Sequence, residues 1–486
     1  MTFVTYSYFL FLAGSLVVYY LLPHRFRWFM LLVSSIAFCA LLNIYSTIWL
    51  VVTTVVSYFA ARGVAALNSK ERQQSARLLL IVSLVVMFGS LFLMKYLPKI
   101  CNIFGVIVSR VLRQPRNLPV LSLAMPVGIS FYLFQVSGHL IDVYRGKTQP
   151  VRHFGHYAVS VTFFAKLTQG PIAPIEQLAP QFSVKAKLDP LAMRSGAVRI
   201  LLGLFKKTVI ADRLAVVADY VFANPSTSDA LTIVIGTVFY SFQLYTDFAG
   251  YTDMALGSAQ LFGISLPENF RQPYLAHSIA DMWRRWHMTL SSWLKTYVYF
   301  PLGGSRVKQW RWAFNVLVVF LISGMWHGSG RSFIIWGLLH GVYQIIGKYT
   351  AKPRAAFKEK LMGKDTWLST FVSIFCTFIL VCIAWIFFRA PSVRTALTML
   401  SRLVDGQWKF SLAQLGIKAN EWYLSCAMIL LALVMDVFSE HCSISEWIEQ
   451  RTLLIRWLIY LVFLFAIILF GVYGSLTAQS FIYVSF

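Results

Sequence analysis

The chain has 486 residues, 58% hydrophobic and 13% charged, with 43 basic against 19 acidic residues for a net charge of +24. Soluble domains carry about 25% charged residues, so a soluble enzyme is excluded, and so high an apolar content excludes intrinsic disorder. What remains is a polytopic membrane protein whose Lys and Arg sit in loops, where they set topology and meet anionic headgroups, with no soluble basic domain to bind nucleic acid.

About twenty uncharged residues cross a bilayer core as a helix. The first such run, Phe3–Leu22, has no basic segment before it and no small-residue cleavage pattern after it, so it is expected to stay as a membrane helix. Trp28–Ala61 is uncharged throughout, enough for two short spans turning near Asn43. Leu78–Met94 follows, with Lys95 able to snorkel. Leu118–Ile141 comes after the turn signals Pro115 and Pro119. Between His153 and His340 the apolar runs shorten and are broken by Gly170-Pro171, Pro174, Pro180, Gly250, Pro267, Pro273 and Pro301. Irregular backbone at membrane depth persists only where protein or a water-filled cavity satisfies it, so this middle region is where a cavity is expected. Trp367–Phe388 and the run from Trp457 to the C-terminus are again uncharged.

The expectation is an all-α polytopic fold of about ten to twelve spans with re-entrant pieces. It reads as a single domain over residues 1–486: scaffold helices at 1–150, a core of broken helices at 151–350, and C-terminal helices at 351–486. The loops Arg62–Arg77 and Lys348–Lys364 are strongly basic and read as cytoplasmic. The six Cys form no C-x-x-C pair and read as small buried hydrophobes.

Chemistry concentrates in two stretches. Asp281–Lys295 sets Arg284, Arg285, His287, Ser291 and Lys295 among Trp283, Trp286 and Trp293. At helical spacing Arg284, His287 and Ser291 share a face. The stretch fits either a functional site or an amphipathic helix with Trp at the headgroups and Arg on phosphates. The second, Leu321–Gly330, ends an apolar run with Trp326 and His327 among Gly324, Gly328 and Gly330. An ionisable group at membrane depth is a functional hypothesis by default, and His is the side chain best matched to proton transfer near neutral pH. The competing reading is a core histidine hydrogen-bonded between helices. No nucleophile elbow, Walker loop or G-x-G-x-x-G is present, and no His pair at i, i+4 supports a metal site.

At these stretches the chain resembles the membrane-bound O-acyltransferases (MBOATs), most closely the bacterial alginate O-acetyltransferase branch. The resemblance is carried in order by Met125–Tyr132, Gln169–Ile172, Tyr245–Asp253, Glu268–Tyr274, Trp283–Leu294, Pro301–Gly304 and Gly324–Gly328. It implies a ring of helices around a thin central funnel where donor and acceptor meet from opposite faces. The family histidine falls on His327 and the second family position on His287, which makes His327 the expected general base and His287 its assistant. It implies acetyl-CoA as donor, entering past basic residues (Arg284, Arg285, Lys295), and no metal. It also implies a bacterial inner-membrane location and an extracytoplasmic partner that completes transfer to a polysaccharide. Trp283, Trp286, Ser291, Trp326, Gln135 and Tyr132 are expected around the same funnel, with His139 and Asp142 beside Gln135. Asp247 is expected to pair there with an arginine. The tail Phe481–Phe486 resembles an aromatic F-x-Y-x-x-F motif, in which Tyr483 is a candidate acyl relay and Val484 and Ser485 depart from the usual pattern. Three other readings stand beside this one: a transporter or flippase, which shares broken helices and midplane charges but calls for repeats not seen here, a family member that acylates a secreted protein, and a scaffold that only anchors an extracellular acetyltransferase.

Overall fold

The computed structural model describes residues 2–112, 123–363, 366–473 and 481, and among them every regular element is helical. The chain divides into two compact units, Met1–Met193 with Ser258–Pro267, and Arg194–Gly257 with Glu268–Phe486.

The first unit opens with α1 (Tyr6–Leu21), α2 (His24–Leu42) and α3 (Ile44–Ser69). The long uncharged run does turn at Asn43, whose side-chain oxygen accepts the Ser46 N–H at 3.0 Å and so caps α3. The helix expected over Leu78–Met94 grows to 39 residues as α4 (Gln73–Val111), running through Pro98. The next expected helix is shorter than its apolar run: α5 (Ile129–Tyr144) begins only after Gly128. There φ is +73°, and a Cβ would stand 2.1 Å from the Leu167 carbonyl oxygen. Both α4 and α5 pack on α3. α6 (Phe154–Thr162) leads into an irregular buried loop, and the single turn α7 (Ile175–Leu178) follows it.

In the second unit, α8 (Pro190–Phe205), a π-helical turn (Lys206–Ala211) and α9 (Asp212–Ala223) run on without a break. The long α10 (Ala230–Leu261) comes next, then two short helices, α11 (Ile279–Arg285) and α12 (Met288–Leu294). The hairpin α13 (Gln309–His327) and α14 (Arg331–Tyr349) follows, with the basic surface helix α15 (Ala351–Met362) after it. The unit closes with α16 (Trp367–Arg389), α17 (Val393–Asp405), α18 (Ala419–Ser439), α19 (Ile444–Glu449) and α20 (Leu453–Phe470). Its core is aromatic, with Trp283, Trp286, Trp336, Trp385 and Phe388 buried together.

Six described helices (α2, α3, α4, α16, α18 and α20) are long and apolar enough to cross a membrane, with α1 a shorter apolar helix beside them. That is fewer than the ten to twelve expected. α10, α13 and α14 have the length, but their apolar stretches are interrupted by Gln, Asp, Trp, His and Gly that pack against protein, and hydropathy counts only what would suit lipid. α18 shows the reverse case: its 21 residues include Glu421 and Asp436 yet still qualify.

Candidate functional site

The two histidines singled out from sequence come to one place by different routes. His327 is the last residue of α13 and is 3% exposed. α13 and α14 approach closely enough that a Cβ on Gly324 would lie 2.4 Å from the Phe333 carbonyl oxygen, and one on Gly337 would lie 2.3 Å from that of Phe320. This backbone-to-backbone contact fixes the end of α13. The His327 ring then meets Trp336 edge-on at 4.9 Å between centroids, Phe388 at 5.2 Å and Trp326 at 4.7 Å.

His287 is fully buried and lies outside the helix that its sequence pattern suggests. α11 ends at Arg285, and His287 takes a left-handed φ of +42° as the N-cap of α12. The expected common face of Arg284, His287 and Ser291 therefore does not form. A non-glycine residue keeps such a conformation only where its surroundings over-determine it. Here the Glu268–Tyr274 block acts as a strap: the Arg271 N–H donates to the Arg285 carbonyl, and the Met288 N–H to the Asn269 carbonyl, each at 2.9 Å. The Asn269 side-chain oxygen also accepts the Thr289 hydroxyl at 2.6 Å. The His287 ring stands edge-on to Phe248 of α10 at 4.9 Å and faces Trp326 at 6.2 Å. Both imidazoles thus pack against Trp326.

A cavity of about 280 Å³ lies between α11, α12 and α13, walled by Trp283, Arg284, Ser291, Lys295, Trp312 and Ser323 among others; neither imidazole lines it. Ser291 is one helical turn beyond His287 on α12, and Ser323 is one turn before His327 on α13. The cavity is lined mostly by apolar residues and carries two cationic side chains, Arg284 and Lys295. Trp283 is pinned as a wall: its indole N–H donates to His340 Nδ1 at 3.2 Å, and its ring meets Phe320 and Trp336 edge-on.

Of the remaining expected residues, Arg284 and Arg285 both pair with Asp281, at 3.3 and 3.2 Å, and Arg285 also bridges to Glu440. α11 is too short to span a bilayer. Burial raises the Asp281 carboxyl, but the His277 N–H and the Arg285 and Arg284 guanidinium groups outweigh it and hold the carboxyl below its ordinary 3.8. Trp286 is a core residue among Phe270, Tyr274 and Trp385. Asp247 does have a basic partner, but it is a lysine and not the expected arginine: Lys207 Nζ donates to Asp247 and to Asp212, each at 2.7 Å. Asp253, six residues on, pairs with Arg199 and Lys206 instead. Gln135 and Tyr132 belong to the first unit. Gln135 is buried, accepting from Lys166 Nζ at 2.7 Å and donating to the Ser160 and Ala173 carbonyls, and Tyr132 is buried nearby on α5. Tyr483 lies outside the described residues. Among the described residues, no group of three or more His, Cys, Asp or Glu is arranged to hold a metal ion.

Sequence reasoning missed Lys207, and it set His340 aside as structural or interfacial, which its hydrogen bond to Trp283 fits. The signal for Lys207 was present, a Lys-Lys pair and an Asp interrupting the apolar run from Ile200 to Val217.

Comparison with known proteins places this geometry in a wider group. The family model described as MBOAT, membrane-bound O-acyltransferase family, matches residues 36–388. A protein of Azotobacter vinelandii named "Probable alginate O-acetylase AlgI" is 36% identical over 431 residues, 88% of this chain and 82% of its own length. The "Peptidoglycan O-acetyltransferase" of Helicobacter pylori is 36% identical across 81% of this chain and 76% of its own. The "Teichoic acid D-alanyltransferase" of Bacillus subtilis is 27% identical across 57% of this chain and 71% of its own.

Proposed function

The chain belongs to the membrane-bound O-acyltransferase family, and we propose that it moves an acetyl group from cytoplasmic acetyl-CoA toward hydroxyls of an extracytoplasmic polysaccharide, from within the bacterial inner membrane. The observation that carries this reading is the pair of imidazoles against Trp326, each one helical turn past the wall of a cavity with a cationic rim.

In the proposed reaction the thioester arm occupies the cavity, with Arg284 and Lys295 meeting the donor's phosphates. His327 accepts the proton of the incoming hydroxyl as its oxygen attacks the thioester carbonyl carbon. His287 donates a hydrogen bond to the oxyanion that develops. The carbon–sulfur bond then breaks, the ester leaves with the acceptor, and the proton on His327 passes to the thiolate. The aromatic surround, Trp326, Trp336 and Phe388, excludes water and strengthens these contacts. The relatives' names, alginate O-acetylase and peptidoglycan O-acetyltransferase, support a polysaccharide as acceptor. A separate extracytoplasmic acetyltransferase that completes delivery belongs to the same proposal.

Purified protein incubated with labelled acetyl-CoA is expected to release coenzyme A and pass label to an acceptor or to water. His327→Ala is expected to lower that rate by about 10²–10⁴-fold with an unchanged elution profile and melting temperature. A folded His327→Ala protein with full turnover refutes the assignment.

A further inference from the structure

The ammonium of Lys207 is more heavily engaged than a structural ion pair requires. It is 1% exposed, it sits on the π-helical turn, and two carboxylates, Asp212 and Asp247, each accept from it at 2.7 Å. Its remaining side faces an aromatic ring that the sequence places far away. The Phe481 centroid is 4.7 Å from Nζ. Phe481 is itself 3% exposed and stands edge-on to Tyr251, one turn along α10 from Asp247, at 5.1 Å. The seat is thus built from one ammonium, two carboxylates that stabilise its charge, and two rings.

The same turn also ties the chain as it leaves α20. A π-helical turn shifts the hydrogen-bond ladder by one residue and frees carbonyls. The Thr208 carbonyl accepts the Val472 N–H at 3.0 Å, outside any helix. Arg213 reaches the Phe470 carbonyl at 2.6 Å. One backbone hydrogen bond, one hydrogen bond from the Arg213 side chain and one ring contact therefore join Lys206–Arg213 to the C-terminal segment on either side of residues 474–480.

We propose that the π-helical turn is a docking site for the chain's own C-terminal segment, with Lys207 as its cationic latch and Phe481 as the group it holds. A buried ring packed only for its apolar area needs no cation, and a buried lysine paired with two carboxylates needs no ring. Their juxtaposition is explained by attraction between the ammonium and the ring face, which is strongest where both are desolvated. The latch is also joined to the proposed active site through α10: Phe248, the residue after Asp247, is the ring that walls His287.

The test is carboxypeptidase trimming of the full-length protein in detergent, followed by mass spectrometry. Digestion from an opened end follows the population of the open form. Trimming of the wild type is expected to stop at Phe481. Phe481→Leu keeps apolar bulk and loses the ring, and is expected to be trimmed beyond position 481 about thirtyfold faster, the effect of losing a desolvated cation–ring contact. Trifluorophenylalanine at 481 keeps the shape and withdraws charge from the ring face, so it is expected to fall between the two. The proposal is overturned if Phe481→Leu stops where the wild type stops, or if the fluorinated protein is trimmed no faster than the wild type. Neither readout depends on acyl transfer, so the latch and the enzymatic reading fail separately.

Discussion

Substituting Gly337 by Ala tests how tightly the α13–α14 contact positions His327. The added Cβ would stand 2.3 Å from the Phe320 carbonyl oxygen and 3.3 Å from the Gly324 Cα, where ordinary contact begins at 3.4 Å. The opposing atom is backbone, so it cannot rotate away, and the helices must separate by about 1 Å. His327 lies three residues beyond Gly324 on the displaced helix, and its ring partner Trp336 is the residue before Gly337. A misplacement of about 1 Å in a reacting group costs about 10²-fold in rate, and overpacking of this kind costs about 1–3 kcal/mol of stability. The assay is turnover of acetyl-CoA by purified Gly337→Ala, read as kcat and donor KM separately, alongside its thermal melt. The expected result is a kcat about 10²-fold down with donor KM less affected, because Phe320 and Ser323 of the displaced α13 line the cavity but the cationic Arg284 and Lys295 lie off this contact. Gly89→Ala in α4 is the control: nothing lies within 4 Å of its Cβ, so turnover is expected to hold and stability to rise by up to about 1 kcal/mol. A Gly337→Ala protein within twofold of wild-type kcat refutes the claim that this helix contact sets the histidine.

Two further outcomes follow from the rim of the cavity and its support. Lys295→Glu places a carboxylate where donor phosphates are expected, so steady-state kinetics should show donor KM raised about tenfold or more with kcat less affected; the opposite split would move Lys295 into the chemical step. The Asp281 carboxyl is held below its ordinary 3.8, so its pairing stabilises the fold above that pH and is lost as pH falls through the lower folded value. Asp281→Asn should therefore melt at a lower temperature than wild type at pH 7, with the difference shrinking below pH 3.8; a constant difference across that range refutes the sign.

The sequence alone determined the class of the protein and singled out the residues proposed to carry its chemistry. Charge-free runs locate membrane helices because a bilayer accepts little else, and so α1, α2 and α16 were legible to within a few residues, with the turn at Asn43, while α3 runs on past the end of its uncharged run at Ala61 to Ser69. His327 stood out because an ionisable group in apolar surroundings is costly and rarely kept without a role, and His287 through the polar, aromatic stretch that carries the family resemblance. What the sequence could not decide is what depends on which backbone approaches which. The Arg284–Ser291 stretch looks like one amphipathic helix, yet a strap from residues 269–271 holds His287 in a left-handed turn that splits it. Asp247 was recognised as needing a base, but the choice of Lys207 over an arginine rests on a π-helical turn, a one-residue shift in hydrogen bonding that no local pattern announces. Phe481 is 274 residues from Lys207 in sequence, and only the packed chain brings ring and cation within 4.7 Å. Periodicity and hydropathy report the environment each residue prefers, whereas partners are chosen by the fold, among several residues that would satisfy the same preference.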